Sequence, residues 1–193
     1  MADAGRVITG SAKGTRLVAP GAGTRPLSDR VKQALFASLE ADLDDGWSGP
    51  FLDLFSGSGA GGIEALSRGA PLAVFVERDP DAARVIGENL SRARLKGGTV
   101  IRRNALTVLE AGGAAAGGPF VAAIVDPPYA DVGLLASALG RLGEPSLGWL
   151  APGAIVVAKH FWRDEPPEAA GDLRLERRRR FGETALSYYR RAP

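Results

Sequence analysis

Asp126-Pro127-Pro128-Tyr129 puts a carboxylate, a prolyl carbonyl and an aromatic ring within four residues. The two prolines cannot continue a strand ladder, so the chain leaves its sheet here in a stiff turn. An acceptor pair beside an aromatic plate suits a planar base that carries an exocyclic amine. The plainer reading is a strand followed by a turn without chemistry. A second constellation lies upstream. Gly57, Gly59 and Gly62 fit G-x-G-x-x-G, and Glu77 follows twenty positions after the first of them. Such glycines let backbone approach a ligand at a helix N-terminus, and a carboxylate at that distance accepts ribose hydroxyls. The ligand is then a nucleoside cofactor, a dinucleotide or S-adenosylmethionine. A structural turn with a chance glutamate is the alternative. Asp53, four residues before Gly57, bears on the choice. A carboxylate there repels a pyrophosphate and suits a cofactor with an amine and a sulfonium.

These groups need strand ends to hold them. The apolar run 120–125 reads as a buried strand that delivers Asp126. Residues 51–55 read as the strand that carries Asp53 into the glycine turn, with a helix over 63–68. Residues 73–76 form the next strand, closed by Glu77, and a helix over 80–95 has Pro80 at a permitted first-turn position. A third strand at 99–101 leads to Asn104-Ala105 and a short helix. The Gly/Ala stretch 112–118 reads as a flexible surface loop. A helix over 133–142, a strand over 154–158 and an antiparallel pair, 173–181 with 185–190, complete the pattern. Near the start, Val7-Ile8 and Leu17-Val18 are short strand candidates. Ser28 looks like the N-cap of a helix whose buried face is Val31, Ala34, Leu35, Ser38 and Leu39. Strands alternating with helices imply an α/β fold with a mostly parallel sheet covered on both faces.

The chain has 193 residues, 45% of them hydrophobic, enough for one domain with a sizeable core. It has no cysteine and one histidine, which exclude disulfides, a thiolate metal site and a cysteine nucleophile. No apolar run approaches the roughly 20 residues of a membrane span, and the N-terminus lacks a signal peptide's apolar core. A cytoplasmic protein without metal or membrane is the expectation. His160, alone beside a strand end, reads as structural.

The motifs also carry a resemblance. Asp53-Leu54-Phe55-Ser56-Gly57-Ser58-Gly59-Ala60-Gly61-Gly62 resembles the first cofactor motif of class I methyltransferases. Asp126-Pro127-Pro128-Tyr129 resembles their amino-methylating motif, which DNA adenine and cytosine enzymes share. A narrower match comes from Arg6-Val7-Ile8-Thr9-Gly10, from Lys13-Gly14-Thr15-Arg16-Leu17 and from Thr24-Arg25-Pro26-Leu27-Ser28-Asp29-Arg30-Val31. These resemble the N-terminal signature of bacterial small-subunit (16S) ribosomal RNA guanine-N2 methyltransferases, and Phe181-Gly182-Glu183-Thr184 resembles their closing turn. Two positions depart from that family: Lys159-His160 stands where a Glu is usual, and Thr9 replaces a common glycine.

The resemblance implies a Rossmann-like class I methyltransferase fold, a seven-stranded, mostly parallel sheet with helices on both faces. Residues 1–27 would be a basic N-terminal extension and 28–193 the methyltransferase domain. S-adenosyl-L-methionine would be the methyl donor, and 16S ribosomal RNA in an assembling small subunit the partner of a monomeric enzyme. Asp126, Pro127, Pro128 and Tyr129 would be catalytic, with the target base flipped out to reach them. The expected cofactor contacts are Arg25, Ser28, Asp29, Asp53, Phe55, Ser56, Gly57, Ser58, Gly59, Glu77, Arg78, Asn104, Ala105 and Asp126. The expected RNA contacts are Arg6, Lys13, Arg16, Arg30, Arg177, Arg178, Arg179 and Arg180, whose cations would meet phosphates; an ordinary solvated surface is the other reading. A DNA or RNA adenine-N6 methyltransferase is an alternative, although the chain has little room for a base-recognition domain. An NAD-binding oxidoreductase is another, but no Tyr-x-x-x-Lys pattern is present.

Overall fold

The computed structural model describes residues 3–21, 27–43, 46–129, 131 and 133–193. Strands β3 (Phe51–Leu54), β4 (Ala73–Val76), β5 (Gly98–Ile101) and β6 (Phe120–Val125) run parallel in the order β5-β4-β3-β6. β7 (Leu150–Phe161) lies parallel to β6. β10 (Thr184–Arg191), β9 (Leu173–Phe181) and β8 (Ala169–Ala170) continue the sheet in antiparallel fashion. The sheet therefore has eight strands, where seven are expected. The addition is β8, a two-residue edge too short to leave a pattern. β7 is longer at both ends than residues 154–158. Its polar Lys159 and His160 interrupt the apolar run, yet each has a side-chain partner, Asp126 and Ser187 respectively.

Helices α1 (Asp29–Asp42), α2 (Ala60–Ser67) and α3 (Pro80–Arg92) cover one face. There Leu35, Phe36, Ile63 and Ile86 pack on Phe75, Ile124 and Val157. Helices α4 (Ala105–Glu110) and α5 (Leu134–Leu142) cover the other, where Leu109, Leu139 and Trp149, the residue before β7, pack on Leu52, Phe120 and Val156. α2 begins three residues earlier than the apolar periodicity indicates, because Gly59, at φ +77°, closes the glycine turn directly onto it. The third glycine of the motif has a packing role: a Cβ at Gly62 would lie 2.3 Å from the Phe75 ring. The Gly/Ala stretch is not featureless. Residues Gly113–Ala116 form a 3-10 turn, and Gly113 is buried against the Gly148–Trp149 backbone.

β1 (Asp3–Arg6) and β2 (Arg16–Val18) form a separate antiparallel ribbon that lies on the α1–α3 face. Val7 falls just outside β1, its N–H donating to Thr15 O at 2.9 Å. Ala4, Val7, Ala12 and Leu17 join the core of that face. Polar anchors fix the ribbon in register. The fully buried Glu64 accepts from Ile8 N (2.8 Å), Thr9 N (3.0 Å) and Arg68 Nε (2.8 Å). Ser67 Oγ donates to Thr9 O at 2.6 Å, and Asn89 pairs with both the N–H and the carbonyl of Val18 at 2.9 Å. Gly10 fits only as glycine, at φ +90°, with its Cα facing the Ser67 carbonyl. Lys32 is fully buried on α1, its ammonium 3.8 Å from Asp29. Burial lowers its pKa, with Glu64 and Asp29 opposing.

Replacing Glu64 by Ala leaves two buried backbone N–H groups and Arg68 without their acceptor. The loss is about 3 kcal/mol by the usual cost of breaking a buried charge network, or roughly a 6–12 °C fall in melting temperature for a domain of this size. Thermal denaturation by circular dichroism measures it; a fall of under 1 °C would mean that Glu64 is not an anchor.

Candidate active site

The chain leaves β3 toward β4 and β5 on one side, then returns to pair β6 on the other. The carboxyl ends of β3 and β6 therefore flank the switch point, where open α/β sheets bind ligands. A cleft of about 930 Å³ opens there. Of the expected cofactor residues, Asp53, Phe55, Ser56, Gly57, Ser58, Glu77, Arg78, Asn104, Ala105 and Asp126 line it, as do Pro127, Pro128 and Tyr129. Gly59, Ser28 and Asp29 are not among the described lining residues. Gly59 instead starts α2 against Ile86. Ser28 Oγ accepts from Val31 N as the cap of α1, and Asp29 pairs with Arg6 and Lys32. Arg25 lies outside the described residues.

Several lining side chains also hold the cleft's walls. Glu77 accepts from Gly57 N at 2.8 Å and from Asp79 N at 2.9 Å, tying the tip of β4 to the glycine turn. Ser56 Oγ donates to Asp53 O at 2.6 Å. Asn104 Oδ1 caps α4, accepting from Leu106 N at 2.9 Å. Phe55 occupies the left-handed region at φ 61°, which costs a residue with a Cβ on the order of 1–3 kcal/mol and persists where surrounding structure imposes it. Asp53 is buried and accepts from Gly62 N at 2.7 Å. Burial pushes its carboxyl well above the ordinary range. The Gly62 N–H opposes the shift, and the nearby Asp126 and Glu77 charges add to it.

Asp126 leaves β6 with its N–H on Leu54 O at 3.3 Å. Its carboxylate accepts from Lys159 Nζ at both oxygens, 2.7 and 2.8 Å, in a pair that is only 8% and 18% exposed. Burial raises the Asp126 pKa and the Lys159 ammonium holds it back down. The same ammonium sits 5.2 Å from the Tyr129 ring centroid. Tyr129 is half-buried, its hydroxyl 3.4 Å from Thr184 Oγ1. His160 is bound by the Phe161 carbonyl and Ser187 Oγ, both at 2.8 Å, and its pKa is lowered by burial, which is a structural environment.

The set fits S-adenosylmethionine better than a dinucleotide. Asp53 and Glu77 line the cleft beside the glycine turn with acceptor oxygens, which an amine and ribose hydroxyls can donate to and a pyrophosphate, itself an acceptor, cannot. Among the described residues no cluster of side chains could hold a metal, and no helix is long and apolar enough to cross a membrane.

The expected RNA contacts divide. Lys13, Arg30 and Arg179 are exposed. Arg6 pairs with Asp29, and Arg16 with Asp3 at 3.6 Å. Arg177 is turned onto α1, bound to Asp42 and Ser38 with its guanidinium 4.4 Å from the Tyr188 ring centroid, so its charge serves the fold. Arg178 donates to Pro166 O at 3.2 Å, and Arg180 lies on the Trp162 ring. Lys159 stands out in the sequence only as a departure from a family pattern, and Asn89 gives no signal at all. A polar residue on an amphipathic helix reads as solvated until its partners, here Val18 and Ser58, are known.

Comparison with known proteins agrees with this geometry. The family described as Conserved hypothetical protein 95 matches residues 5–190. The chain is 38% identical to "Putative rRNA methyltransferase YlbH" of Bacillus subtilis (strain 168), over 96% of this chain and 98% of that protein. It is 33% identical to "Ribosomal RNA small subunit methyltransferase D" of Escherichia coli (strain K12), over 96% and 89%. The solved structure of "Putative methyltransferase yhhF from Escherichia coli" superposes with a TM-score of 0.83 at 31% identity, covering 97% of each chain. With the family matched over residues 5–190 and the relatives over nearly the whole chain, the chain belongs to the Conserved hypothetical protein 95 family of class I methyltransferases, which use S-adenosylmethionine.

Proposed function

We propose that this chain transfers a methyl group from S-adenosylmethionine to the exocyclic N2 amine of a guanine in small-subunit ribosomal RNA. The observation that carries the reading is the Asp126-Pro127-Pro128-Tyr129 corner on the rim of the cleft that the glycine turn and Glu77 also line. The relatives named as ribosomal RNA methyltransferases support the choice of RNA. The enzyme is a monomer of the bacterial cytoplasm, with residues 1–27 as its N-terminal extension and 28–193 as its transferase body.

When bound, S-adenosylmethionine supplies an electrophilic methyl group. The chain supplies position and charge. Glu77 binds the ribose hydroxyls beside the glycine turn. The guanine amine is a weak nucleophile because its lone pair is delocalised into the ring. Asp126 and the Pro127 carbonyl accept its two hydrogens and aim the nitrogen, while Tyr129 stacks on the base. Orientation and stabilisation of the positive charge that grows on nitrogen are the main catalytic effects. Lys159 occupies two of roughly four acceptor positions on the carboxylate, so two remain for the amine. Its ammonium opposes the rise in the Asp126 pKa that burial causes.

Single-turnover methyl transfer to 16S ribosomal RNA, naked and in partly assembled subunits, tests this reading. Asp126→Ala lowers the rate by about two to three decades, the value of one well-aimed polar contact in a transition state. Asp126→Asn retains partial activity through its remaining oxygen. A wild-type rate in a folded Asp126→Ala protein would reduce Asp126 to a turn residue.

Cofactor affinity is a separate readout. Glu77→Ala weakens S-adenosylmethionine binding by about 2 kcal/mol, roughly thirtyfold, for the loss of a charged acceptor. Calorimetry measures it, and unchanged affinity would remove Glu77 from the site.

The Lys159 pair gives a pH signature. Asp126 acts as the carboxylate, so the rate falls as pH drops through its pKa, which burial raises and Lys159 lowers. Lys159→Met removes the lowering influence and moves this acid limb to higher pH; Lys159→Arg leaves it nearer its original position. A pH–rate profile that is the same in Lys159→Met would show that Lys159 does not govern the ionisation of Asp126.

A further inference from the structure

β7 ends at Phe161, and the turn that follows carries Trp162 and Arg163. Trp162 is half-buried, and its backbone N–H donates to Glu183 O at 3.0 Å, which ties this turn to the one between β9 and β10. Two guanidinium groups lie on its ring. Arg180 is 3.6 Å from the ring centroid and Arg163 is 4.9 Å away. Arg180 is also pinned by Nε, which donates to Gly182 O at 2.8 Å. Toward the cleft, the Phe161 ring centroid is 6.1 Å from that of Trp162, and the Tyr129 ring is 6.5 Å from Phe161. Three aromatic rings thus run without a break from the corner that holds Asp126 to a guanidinium-flanked indole outside it.

We propose that Trp162, with Arg163 and Arg180, is a stacking platform for the unpaired nucleotide next to the target base. The proposal rests on the reading of this chain as an RNA methyltransferase and names how the strand beyond the flipped base is held. A base lifted out of its stack leaves its neighbour with an exposed face, and unpaired RNA bases are held by aromatic side chains and by the planes of arginine guanidiniums. The indole and its two guanidiniums offer such a planar layer, and the same two cations meet the phosphate that follows the base. Among the described residues, neither Arg163 nor Arg180 has a carboxylate within ion-pair distance, although Asp164 and Glu165 lie in the same turn. Arg177, three residues before Arg180 on the same strand, is by contrast held by Asp42 and Tyr188. Arg180 therefore keeps its charge on the face that continues the Tyr129–Phe161–Trp162 run, while the exposed Arg179 lies on the opposite face with Arg177.

Binding of short single-stranded RNAs to the full chain tests the platform, with fluorescence anisotropy as the readout. The probes carry one central guanine with unpaired purines on each side, and matched versions have an abasic residue immediately 5′ or 3′ of the guanine. The abasic change removes a base but keeps every phosphate. The wild-type protein is expected to bind one of the two abasic probes about tenfold more weakly than the intact RNA, the scale of one lost base–aromatic stack. Trp162→Ala is expected to bind the intact RNA weakly by a similar factor and to be indifferent to the abasic change, while Trp162→Phe keeps most of the discrimination. Equal binding of all three probes by the wild-type protein, or undiminished discrimination in Trp162→Ala, overturns the platform. Methyl transfer to the intact RNA, run in parallel, separates the two readings. Transfer without discrimination between probes removes the platform alone, whereas absence of transfer to any RNA counts against the RNA methyltransferase reading itself.

Discussion

The arrangement of the cleft depends on β3 lying between β4 and β6. Because the chain departs from β3 to one side and later returns on the other, a crevice opens between the carboxyl ends of β3 and β6. Parallel register then fixes the depth of each functional group. Asp53 pairs with Phe75 and with Ile124, and Leu54 pairs with Val76 and Val125. One step further along each strand stand Phe55, Glu77 and Asp126. Their convergence follows from register in a parallel sheet and needs no contact among the three side chains.

That convergence brings three carboxylates to one end of the sheet, and the protein manages their repulsion differently at each. Glu77 is bound by two backbone N–H groups. Asp53 is buried, with the Gly62 N–H as its hydrogen-bond donor, and its environment favours the protonated form. Asp126 has a lysine. A carboxylate that must accept a hydrogen bond from a neutral amine works best ionised, and a buried site opposes ionisation. Lys159, delivered by the neighbouring parallel strand, offsets that opposition without closing the approach from the cleft.

The motifs were legible in the sequence because each depends on residue types that few other roles require. The Asp-Pro-Pro-Tyr corner needed only the strand before it, and the glycine turn with Glu77 needed only spacing. The doubly wound sheet followed from alternation of apolar runs and helices. What was not legible depends on partners distant in sequence. Lys159 and His160 look like the end of a strand until Asp126 and Ser187 are found beside them. Lys32 looks like one more surface cation on a basic segment, though it is sealed under the ribbon. Four consecutive arginines read as one charge run, but a strand alternates its faces. Arg177 consequently meets α1 while Arg180 meets Trp162, and a single composition-based role cannot cover both.

The anchoring of the β1–β2 ribbon also sets a kinetic requirement. Its polar ties join residues 56 and 71 positions apart, from Ile8 to Glu64 and from Val18 to Asn89. Closing loops of that length is entropically unfavourable until both ends are already structured, and folding slows as the mean separation between contacting residues grows. The ribbon has no apolar layer of its own, since Ala4, Val7 and Leu17 pack into a core supplied by the helices. Its native docking therefore requires α2 and α3 to be in place on the sheet. Until it docks, Glu64 and Arg68 have only each other and Glu40, and the apolar surface of α1–α3 is open to solvent. Apolar surface left open before docking favours aggregation of the folding chain.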